Sequence, residues 1–220
     1  MATAKQATTR RLNMRERAEE QKKILFPTVP NELLWHRKGN DGWSTVPRTL
    51  PIAMQAIDAQ SKGAPAGHTL YCLWARCPDH PLLIIESPAV IAHEAGFSGE
   101  RAIDTWRKRM KQLVELKFIR CLEGPSGEYH HVLLMNPNVA VEKLYEAEKI
   151  QTTLYARFKY RLNEIGAQRD LVDFEAYRDG VAANKTAKTK KAATAGTKPE
   201  AVPPVAVKRF APSGRLNQAD

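Results

Sequence analysis

The sequence predicts an α+β protein that is mainly helical and contains one small β-hairpin. Apolar residues recur every three to four positions in several segments, and these segments start at capping residues or prolines and stop at glycines, as amphipathic helices do. Residues 118–122 and 129–135 flank a turn-rich segment at 123–127, which predicts the hairpin. With 220 residues and 43% hydrophobic content, the chain can bury a core of moderate size.

A lead-in, two helices and a strand are predicted first along the chain. Residues 35–48 hold a polar turn between aromatic and β-branched residues, which predicts a hairpin or an extended segment. One helix is expected to begin near Thr49 and to stop by Gly63, and the next to end at Pro78. Residues 82–85 are a continuous apolar run between prolines, which predicts a short buried strand. The two helices repeat the apolar spacing i, i+3, i+4, i+7 at Leu50, Ala53, Met54 and Ile57, and at Leu70, Leu73, Trp74 and Cys77.

Two further helices joined by a tight turn are predicted before the hairpin. Ser87 is the expected N-cap of the first and Pro88 its first residue, where a missing N–H costs nothing. Gly96 is expected to close this helix in a left-handed conformation. Ser98 is then expected to cap a second, longer helix that runs to about Lys117. The order is therefore short helix, turn, long helix and hairpin.

The long helix separates into two faces on a wheel of 3.6 residues per turn. The expected core face consists of Ala102, Ile103, Trp106, Met110, Leu113 and Val114. A helix docked in the major groove of DNA reads base edges with its first turns, so Arg101, Thr105 and Lys108 are expected to contact bases. Lys111 and Gln112 are expected to meet the phosphate backbone. Any amphipathic helix places Lys and Arg on its solvent-exposed face. The alternative to a DNA-reading helix is therefore an ordinary helix whose charged face contacts only water.

The hairpin would add a second contact surface on the neighbouring groove or phosphates. Its available polar residues include Lys117, Arg120 and His130, whereas Glu123 and Glu128 near the tip disfavour deep insertion into a minor groove. The full set of predicted DNA-contacting residues is Ser98, Arg101, Thr105, Arg107, Lys108, Lys111, Gln112, Lys117, Arg120 and His130.

The turn Glu-Ala-Gly-Phe-Ser at 94–98 and the exit Leu-Lys-Phe-Ile at 116–119 carry a family resemblance. Residues 82–137 resemble the winged helix-turn-helix domains of bacterial transcription regulators and plasmid replication initiators. Over 35–137, with Asn-Asp-Gly-Trp at 40–43, the chain also resembles a family of bacterial proteins found on mobile elements. The resemblance implies binding of double-stranded DNA, in transcription control or in the replication or maintenance of a plasmid or mobile element.

The net charge of +10 comes from the two ends of the chain. Residues 1–26 carry seven basic and three acidic residues, 181–220 carry eight and two, and 27–180 are formally neutral. Basic arms on a neutral core suit electrostatic contact with a polyanion such as DNA. Solubilising tails are the alternative interpretation.

Four segments are predicted: a basic arm at 1–26, a winged-helix domain with an N-terminal extension at 27–137, a helical extension at 138–166, and a mostly disordered Ala/Lys/Pro tail at 167–220. The helical extension has an apolar stripe of Leu154, Phe158, Leu162 and Ile165. This stripe would pack on the domain or on a second copy, giving a homodimer through the C-terminal helices.

No motif predicts catalysis, a cofactor, a metal or a small-molecule substrate. Cys72, Cys77 and His80 lack the second ligand pair of a zinc site, and adjacent His130 and His131 point to opposite faces of a strand. Neither a phosphate-binding loop nor a hydrolase nucleophile motif is present. Free cysteines without a signal peptide predict a cytoplasmic protein, and the longest apolar runs are too short to predict a membrane span.

A non-catalytic protein-interaction adaptor, with the winged helix as a scaffold, is the alternative function. Acidic residues Asp104 and Glu115 on the exposed face of the long helix favour it, because they would repel DNA phosphates.

Overall fold

The computed structural model describes residues 16–181, apart from 36, 38, 62 and 78. One compact unit ends at Ala176, and a second unit begins at Tyr177. The first fifteen residues of the predicted basic arm and the predicted tail from residue 182 onward lie outside the described residues.

The described chain has a mixed α/β fold of helices around one small antiparallel sheet. Its main elements are α1 (Leu50–Ala59), α2 (Gly67–Ala75), β1 (Leu82–Ile84), α3 (Pro88–Glu94), α4 (Ala102–Glu115), β2 (Ile119–Gly124), β3 (Gly127–Leu134), α5 (Pro137–Glu146) and α6 (Thr152–Ile165). Residues 16–25 and 169–181 are also helical. The second of these helices begins inside the segment predicted to be mostly disordered, and its Leu171 is buried in the core.

The sheet has three strands in the order β1-β3-β2, all antiparallel. The predicted hairpin is present as β2 and β3, and the strand predicted at 82–85 joins it, with Leu82 opposite Leu133. That strand was predicted to be buried throughout, which is wrong. Leu83 and Ile85 are buried, whereas Leu82 and Ile84 are exposed, because only one face of the sheet is covered by helices.

The hairpin turn is tighter than the five residues predicted at 123–127. Gly124 pairs with Gly127, so only Pro125 and Ser126 connect the strands. Gly127 has φ of +109°, a conformation that glycine adopts without strain. A Cβ atom at Gly124 would collide with the imidazole ring of His130, so this position requires glycine for a different reason.

The ends of α3 and α4 explain how the two helices are joined. Ser87 occupies the N-cap position of α3 and Pro88 follows it, as predicted, although the Ser87 side chain makes no capping hydrogen bond to the described residues. Gly96 is left-handed at φ +84°, and the Phe97 N–H donates to the Ala92 carbonyl at 3.0 Å, which closes α3.

The predicted start of α4 at Ser98 is wrong. Gly99 adopts φ of +80°, which interrupts helical geometry, and Arg101 takes the N-cap position instead. The N-cap therefore lies three residues later than predicted, and the helix runs from Ala102 to Glu115, with Leu116 as C-cap and Lys117 left-handed at φ +66°.

One hydrophobic core joins α1 and α2 to α4, the sheet, α5 and α6. Trp106 of α4 lies edge-on to Tyr129 of β3, with ring centroids 5.7 Å apart, and this contact holds the helix against the inner face of the sheet. Phe158 and Leu162 of α6 are fully buried within the same chain. These two residues of the predicted apolar stripe therefore pack on the domain, whereas Leu154 and Ile165 are half-buried. A homodimer through the C-terminal helices stays a prediction.

A buried hydrogen-bond chain connects the start of α1 to α5. The Thr49 hydroxyl donates to Asn138 Oδ1 at 2.5 Å, and both residues are buried. Asn138 Nδ2 then donates to Asp170 Oδ2 at 2.8 Å, and Asn136, the N-cap of α5, donates to the same oxygen at 3.0 Å. These hydrogen bonds join the start of α1 to α5 and to the helix at 169–181, and they satisfy polar groups that would otherwise lack a partner.

We expect Thr49→Val to lower the free energy of unfolding by about 1 to 3 kcal/mol, because it leaves the buried Asn138 oxygen without its donor. Thr153→Val on the exposed surface of α6 is the matched control and should change stability by less than about 0.5 kcal/mol. Urea denaturation of the full chain measures both, and equal effects would show that the Thr49 hydrogen bond contributes nothing.

Candidate nucleic-acid interface

Helix α4 has the two faces that its sequence predicts. Of the predicted core face, Ala102, Trp106, Met110 and Leu113 are buried, and Ile103 and Val114 are half-buried. The opposite face is open to solvent and carries the polar residues named from the sequence, with Thr105 and Gln112 half-buried and Arg101, Lys108 and Lys111 exposed.

Arg101, Thr105 and Lys108 share one side of α4. Their spacings of four and three residues place them in a row, and the row spans about 10 Å at 1.5 Å per residue. This length corresponds to roughly three base-pair steps of a DNA duplex at 3.4 Å each. The row is therefore long enough to contact several adjacent base pairs from one groove.

The charges on this face are only partly neutralised inside the chain. Arg101, Lys108 and Lys111 form no ion pair with any carboxylate in the described part of the chain. Arg107 does form one, since its Nη1 lies 3.6 Å from Asp104 Oδ1. Arg107, which the sequence analysis placed among the DNA-contacting residues, therefore faces an acid in the free protein, and its contact with DNA stays a prediction.

Ser98 lies outside the helix that it was expected to cap. It is exposed in the turn between α3 and α4, next to the left-handed Gly99. It remains on the side of the molecule where α4 begins, so a contact with a phosphate stays a prediction.

Lys117 and Arg120 lie at the other end of α4 from Arg101, the first residue of the row. Fifteen residues lie between Arg101 and Lys117, and the intervening helix is about 21 Å long. Lys117, Arg120 and Lys143 instead line a separate cleft of about 470 Å³ at the C-terminal end of α4, over the apolar side chains of Met135, Val139 and Ala140. The structure thus divides the predicted contact set into two clusters.

Lys143 was not singled out from the sequence. It lies on α5, more than twenty residues after Arg120, and its Nζ is 4.8 Å from the centre of the Phe174 ring. Only the long-range packing of α5 beside β2 brings it to the same cleft, so no local pattern could have identified it.

His130 is buried, which is contrary to its predicted role as a DNA contact. Its ring centroid lies 4.4 Å from that of His131, so the prediction that these two side chains point to opposite faces is also wrong. Its Nδ1 lies 2.8 Å from Ser126 Oγ and 3.0 Å from the Ile85 carbonyl oxygen, and the residue is buried. The Ser126 hydroxyl also donates to the Ile85 carbonyl. His130 therefore fastens the hairpin turn to the residue after β1 and offers no surface to a duplex. An irregularity in the β2–β3 pairing allows Tyr129 and His130 to be buried together, although strand alternation predicts one inward and one outward.

The tip of the hairpin is acidic, with Glu123 and Glu128 exposed. Burial, followed by the charge of Glu128, raises the pKa of the Cys121 thiol to about 11 and that of Tyr129 to about 12. Both groups are neutral at physiological pH, so neither supplies an anionic nucleophile.

The cysteines and histidines near α2 form separate local contacts. Cys72 Sγ lies 3.6 Å from His68 Nε2, and burial raises the pKa of this thiol. The Cys77 thiol donates to the backbone carbonyl of His80. Within the described ranges, three or more His, Cys, Asp or Glu side chains nowhere converge in a way that could hold a metal ion.

Comparison of the chain with protein-family models, with curated proteins and with solved structures finds no match. Among the described residues, no helix combines the length and the apolar character needed to cross a membrane. Function therefore has to be inferred from the residues and their arrangement.

Proposed function

We propose that this chain binds double-stranded DNA through a winged helix-turn-helix formed by α2, β1, α3, α4, β2 and β3, with α4 as the recognition helix. The order of these six elements and the sheet order β1-β3-β2 support this assignment, because a winged helix has the same order. The turn through Gly96 and Gly99 joins α3 to α4 as the turn of a helix-turn-helix does.

The observation that carries the proposal is the basic face of α4, on which Arg101, Lys108 and Lys111 form no ion pair with any described residue. Three cations, Arg101, Lys108 and Lys111, are exposed on a helix whose other face is anchored by Trp106. A rigid helix of about 21 Å can lie in the major groove, which is about 12 Å wide, and bring Arg101 and Thr105 to base edges. Arginine can give guanine two parallel hydrogen bonds, and threonine can contact a thymine methyl group.

The proposed cellular role is transcription control, or replication or maintenance of a plasmid or mobile element, in the bacterial cytoplasm. This role requires neither catalysis nor a cofactor, and DNA is the principal partner. The basic ends of the chain would add sequence-independent attraction to phosphates.

Binding of the full chain to a random duplex across a salt series tests this function. The slope of log affinity against log salt reports the number of released counterions, at about 0.9 for each phosphate contacted. The double variant Lys108→Ala with Lys111→Ala should lower the slope by about 1 to 2. The control variant Arg157→Ala with Lys159→Ala removes the same charge from α6 and should leave the slope nearly unchanged. Equal losses in the two variants would mean that α4 is not the contact surface.

A protein-interaction adaptor is the second candidate function. It is favoured by the exposed acids of α4, Asp104 and Glu115, and by the acidic hairpin tip, which are unfavourable near phosphates. A pull-down whose partners survive nuclease treatment, together with no effect of the Lys108 and Lys111 changes on DNA affinity, would favour the adaptor over the DNA reader.

A further inference from the structure

The cleft at the C-terminal end of α4 gathers three cations from different parts of the fold. Lys117 follows α4, Arg120 lies on β2 and Lys143 lies on α5, and all three residues are exposed. None of them forms an ion pair with a carboxylate in the part of the chain that the structure describes. A cavity lined by charges of one sign concentrates the electric field and attracts ions of the opposite sign.

One carboxylate lies at the rim of this cleft. Asp170 accepts hydrogen bonds from the side-chain amides of Asn136, which lines the cleft, and of Asn138, at 3.0 and 2.8 Å. The three lining cations and this carboxylate together leave the cleft with a net charge of +2. The cleft therefore suits an anion that carries about two negative charges.

The floor of the cleft is apolar. Met135 and Val139 are half-buried and Ala140 is buried, where the end of β3 meets the first turn of α5. The Met135 N–H donates to the Phe118 carbonyl oxygen at 2.9 Å, which fixes this junction to the segment that follows α4. The volume of about 470 Å³ lies within the range of small-molecule sites, which combine a mainly apolar lining with a few polar groups.

We propose that this cleft binds a small phosphate monoester with an apolar body. A phosphate monoester carries about −1.5 to −2 charges at neutral pH, which matches the cleft better than the single charge of a carboxylate. The planar guanidinium of Arg120 can donate two parallel hydrogen bonds to phosphate oxygens, and Lys117 and Lys143 add point charges. The apolar body of the ligand lies on the floor, where its contact with water is removed.

Isothermal titration calorimetry of the full chain with octyl phosphate, in low salt and below the micelle concentration, tests the proposal. One molecule should bind per chain. Inorganic phosphate has the head without the apolar body, and 1-octanol has the apolar body without the charge. Each should bind weaker than octyl phosphate by about tenfold or more, because each loses one of the two kinds of contact.

The double variant Arg120→Gln with Lys143→Gln should weaken octyl phosphate binding by about tenfold or more, because it removes two charged hydrogen-bond donors. The matched control is Arg157→Gln with Lys159→Gln, which removes the same charge from the exposed surface of α6 and should bind as the parent chain does. Absence of saturable octyl phosphate binding, or equal weakening in the two variants, overturns the proposal.

Lys117 allows a second test, in which a loss of folding cannot imitate a loss of binding. The residue is left-handed at φ +66°, directly after the C-cap Leu116, where helices usually have glycine. Lys117→Gly therefore removes a cation together with a backbone conformation that is unfavourable for residues with a Cβ atom. It should raise the unfolding temperature and weaken octyl phosphate binding by about threefold or more. A more stable variant with unchanged affinity would contradict a site built on these three cations.

DNA and a membrane surface are the competing occupants, since both display phosphates. If octyl phosphate does not bind, while Arg120→Gln with Lys143→Gln lowers the salt slope of DNA binding, the cleft contacts the DNA backbone and the proposal is overturned. If the same variant instead loses binding to vesicles of phosphatidylcholine and phosphatidic acid, the cleft contacts a bilayer and the proposal is likewise overturned. The calorimetry contains no DNA, so its failure leaves the proposed DNA binding by α4 untouched.

Discussion

We expect Trp106→Ala to lower the free energy of unfolding by about 3 to 5 kcal/mol, enough to unfold a domain of ordinary stability. Trp106 is fully buried on the inner side of α4, and its ring meets Tyr129 of β3 edge-on. Removing the indole would leave a cavity between the helix and the sheet and would delete an aromatic contact. Urea or thermal denaturation followed by circular dichroism measures the loss.

Two further substitutions show whether the loss comes from the cavity. Trp106→Phe keeps a ring in place and removes an indole N–H that has no hydrogen-bond partner among the described residues, so its cost should be clearly smaller. Tyr160→Ala removes an exposed ring and should change stability by less than about 0.5 kcal/mol. If Trp106→Ala were no worse than Tyr160→Ala, the packing of α4 on the sheet would be contradicted.

We expect Arg101→Ala to weaken binding to a preferred DNA site by about 1 to 3 kcal/mol, roughly 5- to 150-fold, and to weaken binding to random duplex much less. Arg101 is exposed at the N-cap position of α4, the end of a recognition helix that approaches base edges. A site is first selected from a random duplex library with the full chain, and affinities for that site and for random DNA are then compared at one salt concentration.

Lys111→Ala is the matched comparison for the Arg101 substitution. Lys111 lies two to three turns further along α4, where phosphate contact is expected, so its loss should weaken all sequences to a similar degree. Neither side chain is buried or ion-paired within the described residues, so both variants should keep the unfolding temperature of the parent chain. Equal losses on selected and random DNA for Arg101→Ala would rule out base reading by this end of the helix.

Local sequence patterns predicted most of the elements because the signals are themselves local. Pro88 and Gly96 delimit α3 through backbone preferences that act within a few residues. The apolar spacing of α4 predicted its buried face, since a helix fixes side-chain directions by periodicity alone. The start of α4 was misplaced because two glycines, Gly96 and Gly99, both adopt left-handed geometry, and only the first was interpreted as a break.

The errors in the candidate site come from contacts between distant parts of the chain. The pairing of Leu82 with Leu133 spans about fifty residues and turned a predicted hairpin into a three-stranded sheet. The burial of His130 depends on the Ile85 carbonyl oxygen and on an irregularity in strand pairing. The periodicity of apolar residues describes one helix or strand at a time. It therefore cannot predict which side chains of other elements pack against that helix or strand.

The anchored hairpin turn limits how this protein can adapt its surface. Because Ser126 and His130 both contact the Ile85 carbonyl oxygen, the turn is tied to the residue after β1, and any bending of the turn toward a ligand has to break these contacts. Glu123 and Glu128 lie beside this anchor, are exposed and form no part of it. Substitutions at these two positions can therefore change the charge of the tip while its shape is conserved.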